Sequence, residues 1–256
     1  MHQIWQRLKM KRRLPFPGWH TLFLFVSTLG LGMLVASSAA SAAEAVAGQQ
    51  PMSRPIAQIF TFLFLMLGPF KIIAPFSRIT KGTDAKFTRQ IAMRATLFAS
   101  LALLLAAFLG EKILSNFGIP LPVLALSVGI ILFLVALKTV LEQFAPPHSE
   151  EIAGQALTPT MSMAMTPLAF PTIVTPYGIG ALVVFLALSP DLKTQLTIGA
   201  IVLVIMLLNL TVMMLTPHIR PLMGAALAIL GAVLGIIQVA LGLQIIHTSL
   251  KALGIL

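Results

Sequence analysis

The sequence predicts an all-α integral membrane protein: six transmembrane helices in two three-helix repeats, preceded by an N-terminal signal peptide. Three observations predict it. Of 256 residues, 58% are hydrophobic and only 9% charged, against about 25% charged in a soluble domain. The apolar residues fall in continuous runs of about 20, the length a helix needs to cross a hydrocarbon core of about 30 Å, and do not alternate in short segments as barrel strands do. Two of those runs are interrupted by Gly and Pro at similar depth. The same composition excludes a water-soluble domain and a disordered chain. The absence of cysteine excludes disulfides, thiolate metal sites and cysteine nucleophiles.

The net charge of +10 suggests nucleic acid until its distribution is read. Arg7, Lys9, Lys11, Arg12 and Arg13 precede an apolar stretch over 21–35. An Ala- and Ser-rich stretch over 37–47 follows, with the A-x-A pattern Ala40-Ser41-Ala42. This is the layout of a secretory signal peptide, 1–42, cut near Ala42 or Ala43, with an uncleaved anchor as the alternative. Residues 43–55 then form a short lead-in outside the membrane.

The predicted spans are 56–76, 91–109, 121–141, 165–188, 196–215 and 222–246. The loop after the first carries Arg78, Lys81, Lys86 and Arg89 against Asp84, so it is read as cytoplasmic. Glu111 and Lys112, and later Asp191 and Lys193, mark the outer loops. The signal and the loop charges agree on a periplasmic mature N-terminus, a cytoplasmic loop over 142–164 and a periplasmic tail over 251–256. Glu142, His148, Glu150 and Glu151 of the cytoplasmic loop lack a second nearby His, so they read as a solvated loop and no metal is expected.

The first span is interrupted at Gly68-Pro69 and the fourth at Thr175-Pro176, with Tyr177 and Gly178 following. Proline lacks a backbone donor and clashes with the preceding turn, so each site should kink or break its helix. Interrupted spans at corresponding places in two halves point to a transporter site. The offset that carries Pro69 onto Pro176 also aligns Phe70 with Tyr177 and Ala74 with Ala181. The halves are 56–141 and 165–250. Each holds three spans, an odd number, so the second is inverted relative to the first.

Lys71 is the only ionisable residue well inside a span. One reading makes it a site residue for a solute carboxylate, beside the helix N-terminus after Pro69. The other has its long stem snorkel to the cytoplasmic interface. The candidate solute-binding set is Gly68, Pro69, Lys71, Thr175, Pro176, Tyr177 and Gly178. Asn209 and Gln238, with Gln244 beside them, either line a polar path or bond between helices. Gly224, Ala228, Gly231, Gly235 and Gly242 form a small-residue stripe that permits close helix packing.

Four stretches carry a family resemblance: FLFLMLGPFKIIAPFSRIT (62–80), LGEKILSNFGIPLPVLALSVGIILFLVALK (109–138), TPLAFPTIVTPYGIGALVVFLALS (166–189) and ILGAVLGIIQVALGLQIIHTSL (229–250). Together they resemble the MarC family of bacterial inner-membrane proteins, over 56–250. The resemblance implies a multi-pass inner-membrane protein and a transporter or exporter of small solutes, with neutral amino acids as the class the family is grouped with. Departures fall at the breaks. Gly68 stands where the family has Asn or Asp, Lys71 where it has Gly, and Thr175 and Tyr177 where it has Gly.

The expected partners are the lipid bilayer and a small solute, with or without a coupling ion; nucleic acid is not expected, and a homo-oligomer is compatible with the small-residue stripe. No cofactor is expected, since the P-loop pattern is absent. Enzymatic function is not expected either: Asp84 and Asp191 lie in loops and His247 at a span end, so no catalytic set sits mid-span. The alternative function is a non-transporting membrane protein acting as a partner or stress-linked factor.

Overall fold

The structure is a computed structural model that describes residues 56–144, 159–189, 191–219 and 224–256, all within one packed unit. The signal peptide with Ala40, Ala42 and Ala43, the lead-in, and most of the predicted cytoplasmic loop lie outside the described residues.

The described residues are helical. Helix α1 spans Ile56–Leu67 and α2 Phe70–Ile79, with helical hydrogen bonding suspended over Gly68 and Pro69. Together they form one apolar run of 24 residues. Helix α3 spans Ala85–Phe117 and α4 Leu121–Phe144. After the loop, Met161–Ala164 makes one 3₁₀ turn and Met165–Ile173 a wide coil, extended at Thr166 and Phe170. Helix α5 spans Pro176–Ala187, α6 Leu192–Ile219 and α7 Gly224–Ala252.

Among the described residues, five helical stretches are long and apolar enough to cross a membrane, counting α1 and α2 as one, and six if Met161–Ile173 and α5 together make a span. The fourth predicted span, 165–188, is therefore not one helix. Its two arms meet at 59°. Each arm alone is too short to cross a core of about 30 Å at a rise of about 1.5 Å per residue. Pro167 and Pro171 give the first arm its irregular course by removing amide donors. The Thr172 hydroxyl donates to the Pro167 carbonyl at 2.8 Å, and the Val174 amide reaches the Ala169 carbonyl at 2.9 Å.

Local chemistry sets several ends. Asp84 caps α3, its carboxylate accepting from the Phe87 amide at 3.1 Å. Asp191 caps α6, accepting from the Thr194 amide and hydroxyl, both at 2.7 Å. These two bonds hold the Asp191 carboxyl below the usual carboxylate range. Gly118 ends α3 with φ of 59°, in the left-handed region that glycine enters without steric cost. The helices run several residues past the predicted apolar spans because these caps lie in the polar flanks. Helix α3, at 33 residues, is about 50 Å long and extends beyond a hydrocarbon core.

Helix α1 forms the centre: every residue from Thr61 to Leu67 is buried. Helices α5 and α6 pack on it, α3 packs on α5, α6 and the irregular arm, and α4 pairs with α7. That last pair is close. A Cβ on Gly242 would lie 2.8 Å from the Phe133 backbone, and one on Gly235 2.6 Å from Val140. The lower half of the predicted glycine stripe thus packs within the chain, on α4. The outer surfaces are apolar: Leu97, Leu101, Phe108, Leu134, Leu203, Leu207 and Ile236 are all exposed, as lipid solvation requires.

Candidate functional site

A helix that stops leaves its last carbonyls without amide partners. For α1 these include the carbonyls of Leu65, Met66 and Leu67. Pro69 is the reason for the first, since it occupies the place of the amide that Leu65 would bond. Side chains from three other helices and the α5 cap take over. Gln238 on α7 donates to the Leu65 carbonyl at 3.0 Å. Asn209 on α6 donates to the Leu67 carbonyl at 2.9 Å and to its own Ile205 carbonyl at 2.9 Å. The Met66 carbonyl accepts from Lys71 at 3.0 Å and from the Thr175 hydroxyl at 3.4 Å.

Lys71 lies in the first turn of α2. Helical side chains lean toward the N-terminus, so its stem runs back across the break. Its amine donates to the Tyr177 hydroxyl at 2.5 Å and sits 4.6 Å from the centroid of the Tyr177 ring, within cation–π range. The snorkelling reading places this amine at the interface; in the structure it bonds the Met66 carbonyl and the Tyr177 hydroxyl.

Thr175 caps α5, its hydroxyl accepting from the Gly178 amide at 3.1 Å, while Pro176 fills the first helical position where a missing donor costs nothing. Gly178 lets α5 approach α1: a Cβ there would lie 2.5 Å from a Leu67 methyl. A Cβ on Gly68 would fall 2.0 Å from the Phe64 carbonyl oxygen. Phe64 and Phe70 meet edge-on across the break at 5.7 Å between centroids.

The structure thus gathers Gly68, Pro69, Lys71, Thr175, Tyr177, Gly178, Asn209 and Gln238 around one junction. It leaves out Pro176, whose ring is exposed, and Gln244, which reaches Thr248 on its own helix. The components that residue-by-residue reading misses are the three carbonyls of α1, because backbone groups carry no side-chain signature. The centre of the junction is closed, with Phe70 and Lys71 half-buried at its edge. Phe62, Leu67, Tyr177 and Asn209 are each 3% exposed or less, and the Asn209 Oδ1 is buried without a partner. Surface grooves beside Lys86 and Arg89 and beside Lys138 and Glu142 lie elsewhere.

Described residues that are helical, with several long apolar helices, an apolar exterior and a polar junction at their centre, define an integral membrane protein. The profile described as MarC family integral membrane protein matches residues 53–253, and the chain belongs to that family. It is 32% identical over 158 residues to a UPF0056 membrane protein of Methanocaldococcus jannaschii, covering 61% of this chain and 74% of the relative. It is 30% identical over 137 residues to the UPF0056 inner membrane protein YhgN of Escherichia coli K12, covering 54% of this chain and 66% of the relative. A Buchnera aphidicola UPF0056 membrane protein is 36% identical over 78 residues, 30% of this chain and 40% of that one. No solved structure matches the chain.

Proposed function

We propose that this protein is a small-solute transporter or exporter of the inner membrane, with its path between the interrupted α1–α2 pair and the arm that breaks into α5. One observation carries the reading: the two interruptions meet, bridged by Lys71 and Tyr177. Helix α2 and helix α5 both begin there, offering amides that attract an anion, while α1 ends there, offering carbonyls that attract a cation. A zwitterion with a carboxylate and an ammonium fits such a pair of ends, which makes neutral amino acids the first class to test.

An inverted-repeat origin supports this reading. At the offset that relates Pro69 to Pro176, Asp84 corresponds to Asp191 and Lys86 to Lys193. Each Asp caps the long helix that follows its half-helix. Counterparts also pack together: α3 with α6, and α4 with α7. The inner-membrane location follows the name of the Escherichia coli relative.

Counterflow of labelled neutral amino acids into proteoliposomes tests the proposal. Saturable flux is expected, falling about 10- to 100-fold in Lys71→Met, the loss of a charged hydrogen bond of about 1.5–3 kcal/mol. Folded protein with no flux across amino acids and other small solutes overturns it. The second reading, a non-transporting partner protein, is favoured by the closed junction and its capped carbonyls, and that same null result is what it expects.

A further inference from the structure

Lys71 raises a question that solute transport does not answer: why a half-buried amine faces the carbonyl end of a helix. The C-terminus of α1 carries a partial negative charge of about half an electron. The amine's partners among the described residues are neutral oxygens and a ring face. The Met66 carbonyl lies at 3.0 Å and the Tyr177 hydroxyl at 2.5 Å. The Thr175 hydroxyl shares the Met66 carbonyl. The Tyr177 ring lies 4.6 Å away. At the same helix end, Asn209 holds the Leu67 carbonyl through its amide and keeps Oδ1 buried and unpartnered.

Carbonyl and hydroxyl oxygens without a carboxylate are the donor set of a monovalent hard cation, not of a divalent one that expects several carboxylates. Among the described residues no group of three acids or histidines is available to hold such an ion. We infer that the end of α1 is a sodium-type cation site whose occupant is tethered: the Lys71 amine fills it permanently, so that the protein needs no free ion there. Shortening the side chain empties the site. The Met66 carbonyl and the Tyr177 hydroxyl then lose a donor in a water-poor interior, which is costly unless an ion replaces it.

The test is thermal unfolding of the purified full chain in detergent, titrated with sodium chloride against choline chloride at constant ionic strength. Wild type is expected to be indifferent to the choice of cation. Lys71→Ala is expected to melt lower in choline and to recover in a saturable way with sodium. The recovery should be about 3–6 °C once sodium is tenfold above its dissociation constant. Lys71→Met, whose stem fills the volume, and Lys138→Ala, whose amine is exposed beside Glu142, are expected to show no sodium effect. Folded Lys71→Ala without a sodium-specific shift overturns the inference, as does an equal shift in wild type. If Lys71→Ala does not survive extraction in choline, its recovery as monodisperse protein in sodium supports the inference, and failure in both salts overturns it. The readout contains no solute, so a sodium shift with no counterflow would remove the transport reading alone, and flux with no shift would remove this one alone.

Discussion

Leu65, Met66 and Leu67 show how a membrane interior treats single backbone groups. With no water to accept the bond, a carbonyl freed by Pro69 must find a protein donor. Gln238 and Asn209 supply two, from residues 173 and 142 positions away along the chain. The two are not equivalent. Gln238 serves one carbonyl; Asn209 serves the Leu67 carbonyl and shares that of Ile205 within its own helix, and it also buries an unpartnered Oδ1, whose desolvation offsets part of its gain. Gln238→Met should therefore destabilise the protein by about 1 kcal/mol, and Asn209→Leu by less. Unfolding of both variants in mixed detergent micelles measures the order; equal or reversed losses would show that the Oδ1 carries no penalty. The sequence made both residues visible as polar groups in apolar spans. It did not show that backbone carbonyls are what they face, because the pairing depends on helices distant in sequence.

At the scale of the element, hydropathy located the runs but the caps decided where helices stop. Asp84, Gly118 and Asp191 lie outside the apolar windows, so the helices exceed the predicted spans at their polar ends. Span 165–188 was legible as apolar and proline-rich, but its 59° bend falls at Val174 and Thr175, whose extended backbone precedes Pro176. Glycine shows the same division between pattern and packing. Gly242 on α7 and Gly199 on α6 look alike in sequence. A Cβ on the first would lie 2.8 Å from the Phe133 backbone, which cannot rotate aside, whereas one on the second meets nothing within 4 Å. Gly242→Ala should cost about 1–3 kcal/mol by forcing α4 and α7 apart. Gly199→Ala should be neutral or stabilise by up to about 1 kcal/mol, since alanine loses less backbone freedom in a helix. The melting temperatures of the two variants should move in opposite directions, or Gly199→Ala not at all. A loss for Gly199→Ala as large as for Gly242→Ala would mean that the α4–α7 contact is not what the glycine protects.

At the scale of the whole molecule, one offset relates Pro69 to Pro176 and extends to the acidic caps of α3 and α6. Few identities link the halves at this offset, as expected where lipid-facing positions accept any apolar side chain and only interruptions and caps constrain residue type. The functional asymmetry is local by comparison: Lys71 of the first half corresponds to Gly178 of the second, so one half supplies an amine and the other the space for close approach to Leu67. If the halves are inverted, equivalent positions must lie on opposite sides of the membrane. The chain has no cysteine, so single cysteines report position without background. Lys86→Cys and Lys193→Cys place one thiol in the first turn of α3 and one in the first turn of α6. In intact cells with a permeable outer membrane, an impermeant maleimide should label Lys193→Cys directly. It should label Lys86→Cys only after the inner membrane is opened, since the positive charge of the loop over 78–89 favours the cytoplasmic side. Labelling of both from the same side would rule out the inverted repeat. It would also leave the meeting of the two interruptions without the symmetry that lets a junction open alternately to either side.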